Sequence, residues 1–449
     1  MSNHLDSHWV ELMEQGALHV MQVLLGKGHR AFMVGGCVRD RLMNVQVKDI
    51  DIATSAAPET VLELFDKVIP TGLQHGTVTV LYKQFSYEVT TFRKENEYVN
   101  HRHPKTVQFV DELHEDLLRR DFTINAMALD VDAQLIDPYH GLEDIKRGII
   151  RCVGNAHERF EEDALRMMRA IRFAARFRFR IEDDTWKAAL MLAPLMEHIA
   201  MERVRTEWEL MLQSKEAGLA IQLLADSGML KRTRNELAYR FVWNERIRII
   251  TSWIDQMPIG LGRWGIWAWA SELSPGVLRT QLQRMTCSKH QANDIVKSLQ
   301  AFLEWYEFIC NHLHEEDAVK LQWKRGIVKY ERVCMCAVLE MIQIFHRMNS
   351  ESFYGPFSIE LLDCSRIEFV ISSSKVWDEE VKVTNARELA ISGHQVMQIL
   401  KKTPGPWLSE VINHLIDVTA IGEIPNHLDV LESYIQLTWG ESADDGHAH

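Results

Sequence analysis

Apolar residues recur at helical spacing over Ala17–Leu25, bunch into a short run at Ala31–Val34, and return as an apolar run from Asp49 to Ala53. The first pattern predicts a helix and the other two predict strands. Pro58–Val68 reads as a helix, with Ala57 or Ser55 near its start. Gly76–Tyr82 and Phe85–Phe92 alternate apolar and polar residues, are rich in β-branched side chains and flank a short polar turn, so they predict a hairpin. Glu95–Thr106 is polar, contains a proline and reads as an exposed loop. From about Arg159 onward helical spacing dominates. Breaks fall near Pro194, Ser227-Gly228, Pro258–Gly260, Ser274–Gly276, Tyr354–Pro356 and Pro404–Pro406. No internal repeat is visible, and Glu441–His449 is polar and reads as a frayed end.

A chain of 449 residues is long for one hydrophobic core, so several domains are expected. Charged residues make up 25% and hydrophobic ones 46%, an ordinary globular balance. No apolar run approaches the ~18 residues that span a bilayer, and the N-terminal residues lack the basic and apolar regions of a signal peptide. The seven cysteines include no C-x-x-C pair, which argues against structural zinc and a disulfide framework and for a reducing, cytoplasmic setting. The net charge of −13 argues against nucleic acid as a partner. Its distribution argues the other way: Lys146–Arg180 holds ten Lys/Arg against four acids. That segment suits a stripe that tracks phosphates, and it equally suits a solvated helix face with pairs such as Glu162–Arg166.

The stretch FMVGGCVRDRLMNVQVKDIDIA, from Phe32 to Ala53, carries the clearest chemistry. Gly35 and Gly36 follow a predicted strand and open a helix, where backbone N–H groups can approach a polyphosphate. Asp49 and Asp51, two apart on a strand, would point to one face. Two carboxylates beside a phosphate cradle suit Mg²⁺ and an in-line attack on a nucleotide. The string GGxVRDxL…KDIDIA resembles the polymerase-β-like nucleotidyltransferases. Within them it is similar to the bacterial class II tRNA nucleotidyltransferases (CCA-adding enzymes) and the bacterial poly(A) polymerases.

Further segments extend the resemblance. Arg119-Arg120-Asp121-Phe122-Thr123-Ile124-Asn125-Ala126 is similar to the family segment that contacts ribose and triphosphate. Paired arginines clamp phosphate oxygens, and Asp121 or Asn125 can accept from a ribose 2′-hydroxyl. Gly35, Gly36 and Arg39 would hold the triphosphate, although Arg39 can also pair with Asp40 and brace its helix. Glu88, on the strand expected beside the aspartates, is a candidate third carboxylate; a sheet-edge acid paired with Arg93 is the alternative. Glu162–Arg166 (EDALR) resembles the base-reading segment. At i, i+3 on one helix face, Asp163 would accept from the exocyclic amine of cytosine or adenine, and Arg166 would donate to the ring acceptor. Guanine and uracil would meet donor with donor and acceptor with acceptor, at about 1–3 kcal/mol for each unpaired group. Arg169, Arg172 and Arg176 follow on the same helix as nucleotide and RNA ligands. Glu202–Glu207 resembles a bracing helix from which Arg203 buttresses the reader or touches RNA. Trp243, Trp253, Trp264, Trp267 and Trp269 suit core packing better than base stacking. Ile391–His427 resembles the C-terminal segment of the Gram-positive-type enzymes, with Lys401 and Lys402 suited to phosphate contact or to a solvated turn.

The resemblance implies an α+β polymerase-β-like head followed by an all-α neck, body and tail. The expected divisions are head 1–150, base-reading neck 151–215, body 216–325 and tRNA-binding tail 326–449. The implied activity is addition of CCA to the tRNA 3′ end from CTP and ATP, with Mg²⁺ and release of pyrophosphate. A CC-adding or A-adding partial enzyme and a poly(A) polymerase share these segments, and an inactive RNA-binding protein is a further alternative. Trimming Glu95–Thr106 is expected to spare CC addition and abolish the terminal A, as read by extension of tRNA transcripts.

Overall fold

The computed structural model describes residues 2–99, 103–110, 112–234, 244–312, 315–351 and 364–440. The chain divides into two compact units, Met1–Val242 and Trp243–His449.

The first unit begins with α1 (Ser2–Gly26), β1 (Ala31–Val34), α2 (Gly36–Leu42), β2 (Asp51–Thr54), α3 (Pro58–Leu64) and β3 (Val68–Gly72). There follow β4 (Thr77–Tyr82), β5 (Phe85–Thr91), β6 (Arg93–Val99), β7 (His103–Phe109), α4 (Leu113–Leu118), β8 (Ala128–Leu129), β9 (Leu135–Ile136) and α5 (Gly141–Arg147). The unit continues through β10 (Ile149–Ile150), α6 (Ala156–Glu162), α7 (Leu165–Phe177), β11 (Arg180–Ile181), α8 (Asp183–Leu192), α9 (Met201–Leu212) and α10 (Ala217–Ser227).

Seven strands form one sheet in the order β3-β4-β5-β2-β1-β8-β9. β2 runs antiparallel to β1 and parallel to β5. Met13, Ala17, Val20, Met21 and Leu24 recur on one face of α1 and pack on the sheet with Ile52, Val78, Val80, Tyr87 and Val89. Each Val, Leu, Ile or Met side chain among them contributes about 1.5–3 kcal/mol when taken from water. The Tyr87 hydroxyl donates to the Met13 carbonyl at 2.9 Å and ties helix to sheet. Val34, Ala53 and Phe92 turn to a second cluster with Leu113 and Leu117 of α4. The strand period of two therefore leaves Glu88, between Tyr87 and Val89, on the face opposite α1.

Three local expectations change. The helix begun at Pro58 ends at Leu64, and Val68 already belongs to β3. Asp49 precedes β2, which starts at Asp51, so only the second aspartate is a strand residue. Glu95–Thr106 falls largely within an antiparallel ribbon, β6 with β7, paired from Arg93↔Phe109 to Val99↔His103. Residues 100–102 lie outside the described part. A two-stranded ribbon has no central strand, so its polar composition and Pro104 are compatible with pairing.

The second unit is helical: α11 (Glu245–Trp253), α12 (Leu261–Ala270), α13 (Pro275–Arg284), α14 (Lys289–Asn311), α15 (Glu316–Tyr330), α16 (Arg332–Glu351), α17 (Cys364–Glu380), α18 (Gly393–Leu400), α19 (Pro406–Ile421) and α20 (Leu428–Trp439). α12 packs on α14 and α16. Trp264 and Trp267 are buried there, edge to face at 5.8 Å. Trp269 packs edge-on against Phe345 at 4.6 Å and Trp253 is half-buried. Trp243 lies outside the described residues. Several breaks follow from local chemistry. Gly228 takes the left-handed φ of 62° that ends α10, Ser274 caps α13 by accepting from the Val277 amide, and Pro406 opens α19. Tyr354–Pro356 lies outside the described residues. Ser392 and Gln395 form a capping box at the start of α18. Among the described residues no helix is long and apolar enough to cross a membrane.

Candidate active site

The turn between β1 and α2 sets one edge of the site. Gly35 has φ 78°, a conformation that costs an L side chain about 1–3 kcal/mol. A Cβ there would also lie 2.7 Å from Arg120 Nη1. Gly35→Ala is expected to displace Arg120, lower the melting temperature and cut nucleotide incorporation; thermal unfolding and a turnover assay check both. Gly36 begins α2, so both glycines present backbone to the cleft.

The parallel pairing of β2 with β5 sets Asp51 directly against Glu88. Asp49 stands just before the strand, exposed at the same cleft. Asp51 keeps an open edge but sits deep among protein atoms. This desolvation, with the negative charges of Glu88 and Asp49, pushes its carboxyl up to about 6, while Arg120 opposes the shift. A divalent cation would relieve this repulsion. The donors are all carboxylate oxygens, which suits Mg²⁺, an ion held by one or two carboxylates plus substrate phosphates rather than by a full protein cage. Among the described residues no three ligating side chains already form such a cage. β5 lies between β4 and β2, so Glu88 is not the edge-strand acid weighed as the alternative.

Arginines line the floor and wall. Asp116, fully buried on α4, accepts from Arg119 Nε at 2.9 Å and from Arg120 Nη2 at 3.1 Å. Burial alone would raise its pKa, but the two guanidiniums hold it below the usual range. Asp121 is also buried; it accepts from Arg169 Nε at 2.8 Å, Asn125 Nδ2 at 3.0 Å and the Phe122 amide at 2.9 Å. Against the opposing effect of burial, these partners and nearby Arg166 hold Asp121 well below the carboxylate range. Asn125 in turn accepts from Arg39, whose Nε donates to Asp40 at 2.8 Å. Asp40 also meets Arg176 at 3.3 Å, so the expected brace between Arg39 and Asp40 extends to α7. Arg172 Nε donates to Glu207 of α9 at 2.6 Å. Four cations of the basic stretch, Arg166, Arg169, Arg172 and Arg176, thus line the cleft, and the last three pair with Asp121, Glu207 and Asp40, whereas Lys146, Arg147, Arg178 and Arg180 are exposed.

The base-reading pair differs from the expected geometry. Asp163 does not share a helix face with Arg166: it caps the end of α6 with φ −145°, and α7 starts at Leu165. Its side chain accepts from the Leu165 amide at 3.1 Å and from both Nη atoms of Arg203, at 3.1 and 2.7 Å. Arg166 donates to Glu162 Oε2 at 2.7 Å and to the Arg119 carbonyl at 3.0 Å. Helical spacing cannot foresee this, because Arg203 approaches from α9, forty residues along the chain.

Gly35, Gly36, Arg39, Asp49 and Asp51 line one cleft of about 560 Å³ with Arg119, Arg120, Asp121 and Asn125, and with Asp163, Arg166, Arg169, Arg172, Arg176 and Arg203. Glu88 enters through its pairing with Asp51 rather than as cleft lining. Lys401 and Lys402 belong to the second unit, exposed where Lys401 ends α18 with φ 51°. Sequence reasoning missed Lys48 and Phe173, which line the cleft, and Asp116 and Glu207, which hold its arginines. The spacing D-x-x-R-R, one helical turn, was a usable signal for Asp116; Glu207 had none beyond its place on the bracing helix.

A mixed sheet carrying paired carboxylates at the mouth of an arginine-lined cleft, followed by helices, defines a polymerase-β-like nucleotidyltransferase. Comparison with known proteins narrows this. Residues 31–151 match the family described as Poly A polymerase head domain, 178–239 a "Probable RNA and SrmB-binding site of polymerase A", and 368–435 a tRNA nucleotidyltransferase domain 2. The CCA-adding enzyme of Geobacillus sp. (strain WCH70) is 34% identical, over 94% of this chain and 96% of its own. That of Leuconostoc mesenteroides subsp. mesenteroides is 36% identical, over 92% and 94%. The crystal structure of the Bacillus stearothermophilus CCA-adding enzyme in complex with CTP superposes with a TM-score of 0.75 at 30% identity, covering 94% of this chain and 96% of that one. The chain belongs to the CCA-adding enzyme family of tRNA nucleotidyltransferases.

Proposed function

We propose that this protein adds C, C and A to the 3′ end of tRNA, using CTP and ATP without a nucleic-acid template and releasing pyrophosphate. The observation that carries the reading is the Asp51↔Glu88 register, which sets two carboxylates side by side beside an arginine-lined cleft. Asp49, Asp51 and Glu88 are the catalytic carboxylates, with Asp49 and Asp51 the ligands of Mg²⁺. The ion, when bound, supplies charge neutralisation at the phosphates and acidifies the attacking 3′-hydroxyl.

The chain's own groups do the rest. Gly35 and Gly36 let backbone approach the triphosphate, while Arg39, Arg119 and Arg120 offer donors to its oxygens. Asp121 and Asn125 fix the arginines and the ribose side of the cleft. Asp163 accepts from the amine of cytosine or adenine, and Arg166 donates to the ring acceptor beside it. Arg169 and Arg172 complete the nucleotide wall. Arg176, Arg203, Lys401 and Lys402 are the RNA-facing cations, Arg203 also latching Asp163. In this reading residues 1–150 act as catalytic head, 151–215 as base-reading neck, 216–325 as body and 326–449 as tRNA-binding tail.

The test is incorporation of labelled CTP and ATP into three tRNA transcripts, ending before the first C, after one C and after both. Completion of all three to CCA, with GTP and UTP ignored, is expected. Extension of the CC-ended transcript alone would make this an A-adding enzyme, long A tails a poly(A) polymerase, and no incorporation with Mg²⁺ present an RNA-binding protein.

A further inference from the structure

Phe173 is nearly fully buried on α7, yet its ring borders the cleft. Three guanidiniums lie over it: Arg172 at 4.2 Å from the ring centroid, Arg39 at 5.2 Å and Arg169 at 5.4 Å. Phe177 is parallel to it at 6.0 Å and carries Arg39 at 4.9 Å and Arg176 at 5.0 Å. Phe122, the residue after Asp121, meets Phe173 edge-on at 5.8 Å. Two rings thus hold four arginines together.

Those four guanidiniums share three carboxylates, Asp40, Asp121 and Glu207. Burial lowers the pKa of Arg39 and Arg172, and the neighbouring cations Arg176 and Arg169 lower them further. A fourth carboxylate would quiet the repulsion but cancel the attraction for an anion. An aromatic face attracts cations through its quadrupole without adding charge or an acceptor. A guanidinium lying over a ring also keeps its N–H groups available for in-plane bonds to phosphate oxygens.

We propose that Phe173 is a positioning residue for the nucleotide triphosphate: its ring holds Arg39, Arg169 and Arg172 in mutual proximity so that the cleft keeps an uncancelled positive charge for phosphates. The proposal rests on the nucleotidyl-transfer reading of this cleft and adds to it a residue that acts through the arginines it holds. Because the ring acts through cations that bind phosphate and carries no donor or acceptor that could tell one base from another, it serves CTP and ATP alike.

The test compares Phe173→Leu with Phe173→Tyr in steady-state CTP and ATP incorporation, and measures binding of inorganic tripolyphosphate by calorimetry to the same proteins without tRNA. In Phe173→Leu the KM for both nucleotides is expected to rise about five- to tenfold, the loss that goes with a cation–π contact between the exposed and the fully desolvated limits. The value of kcat, the KM for tRNA and the preference between CTP and ATP should hold, tripolyphosphate affinity should fall by a similar factor, and Phe173→Tyr should restore all of them. A Phe173→Leu protein with a lower melting temperature but unchanged tripolyphosphate affinity would overturn the proposal in favour of plain packing. A KM change for only one nucleotide would overturn it in favour of base reading. If the unaltered protein transfers no nucleotide, the functional reading fails, while tripolyphosphate binding still decides the role of the ring.

Discussion

Asp51→Asn is expected to lower CTP incorporation into tRNA by at least about a thousandfold, the scale on which removing a directly acting group disables an active site. The same change should make the metal-free protein more stable. The Asp51 carboxyl titrates at about 6 in the folded chain, above its ordinary value of 3.8. An acid raised in the folded state stabilises most when protonated, so its contribution is present below the unfolded value, declines as pH rises towards 6, and is lost above it. Asparagine removes the charge at every pH. The variant should therefore melt higher than the parent above pH 6, and the two should converge near pH 4. Because Asp51 has an exposed edge, water screens much of the shift, leaving a gain on the order of 1 kcal/mol. Saturating Mg²⁺ should stabilise the parent and not the variant. Melting curves with and without the ion, alongside a turnover assay, check the prediction; an active Asp51→Asn protein would remove this carboxylate from the chemistry.

Asp121→Ala is expected to be the most destabilising single change in the arginine wall, at about 3–5 kcal/mol. Its carboxylate is buried and takes bonds from Arg169, Asn125 and the Phe122 amide. Removing it leaves the Arg169 guanidinium with Glu207 at 3.7 Å as its remaining acid partner. The pH sign is opposite to that of Asp51. Asp121 is depressed in the folded chain, so its stabilisation is present above the unfolded carboxylate value and lost as pH falls through it and towards the lower folded value. Asp116 shifts the same way beside Arg119 and Arg120. The parent should thus lose stability steeply in acid, and Asp121→Ala should show a shallower acid limb in denaturant titrations from pH 7 to 3. An unchanged midpoint at pH 7 would refute the bracing role.

What could be read from residues alone follows a physical division. Phe32–Ala53 was legible because each step is local: apolar run, glycine pair, helix, second apolar run. Glu88 was legible because a strand period of two predicts its face once neighbouring strands are placed. Asp163 was misplaced on a helix face because one helix ends at it and the next begins after it, its carboxylate accepting from the Leu165 amide, and its partner Arg203 comes from another helix, which no spacing encodes. The β6–β7 ribbon was read as loop because its residues are polar and carry no alternating apolar pattern, the signal by which a strand is recognised. Lys48 stands inside the KDIDIA string beside Asp49 with no role read for it, whereas Phe173 carries no pattern of its own and only the folded cleft brings it to the other residues.

The pairing of β5 also limits how this gene can change length. Tyr82 pairs with Phe85 across the turn, and further along the strand Glu88 faces both Thr79 and Asp51. One residue gained or lost within β5 would turn its remaining side chains over, sending Glu88 into the core and Tyr87 or Val89 to the cleft. The Lys83-Gln84 turn has no such constraint, since added residues there loop out before the register begins. Insertions and deletions in functional descendants should therefore collect at Lys83-Gln84 and avoid the seven residues of β5 that follow.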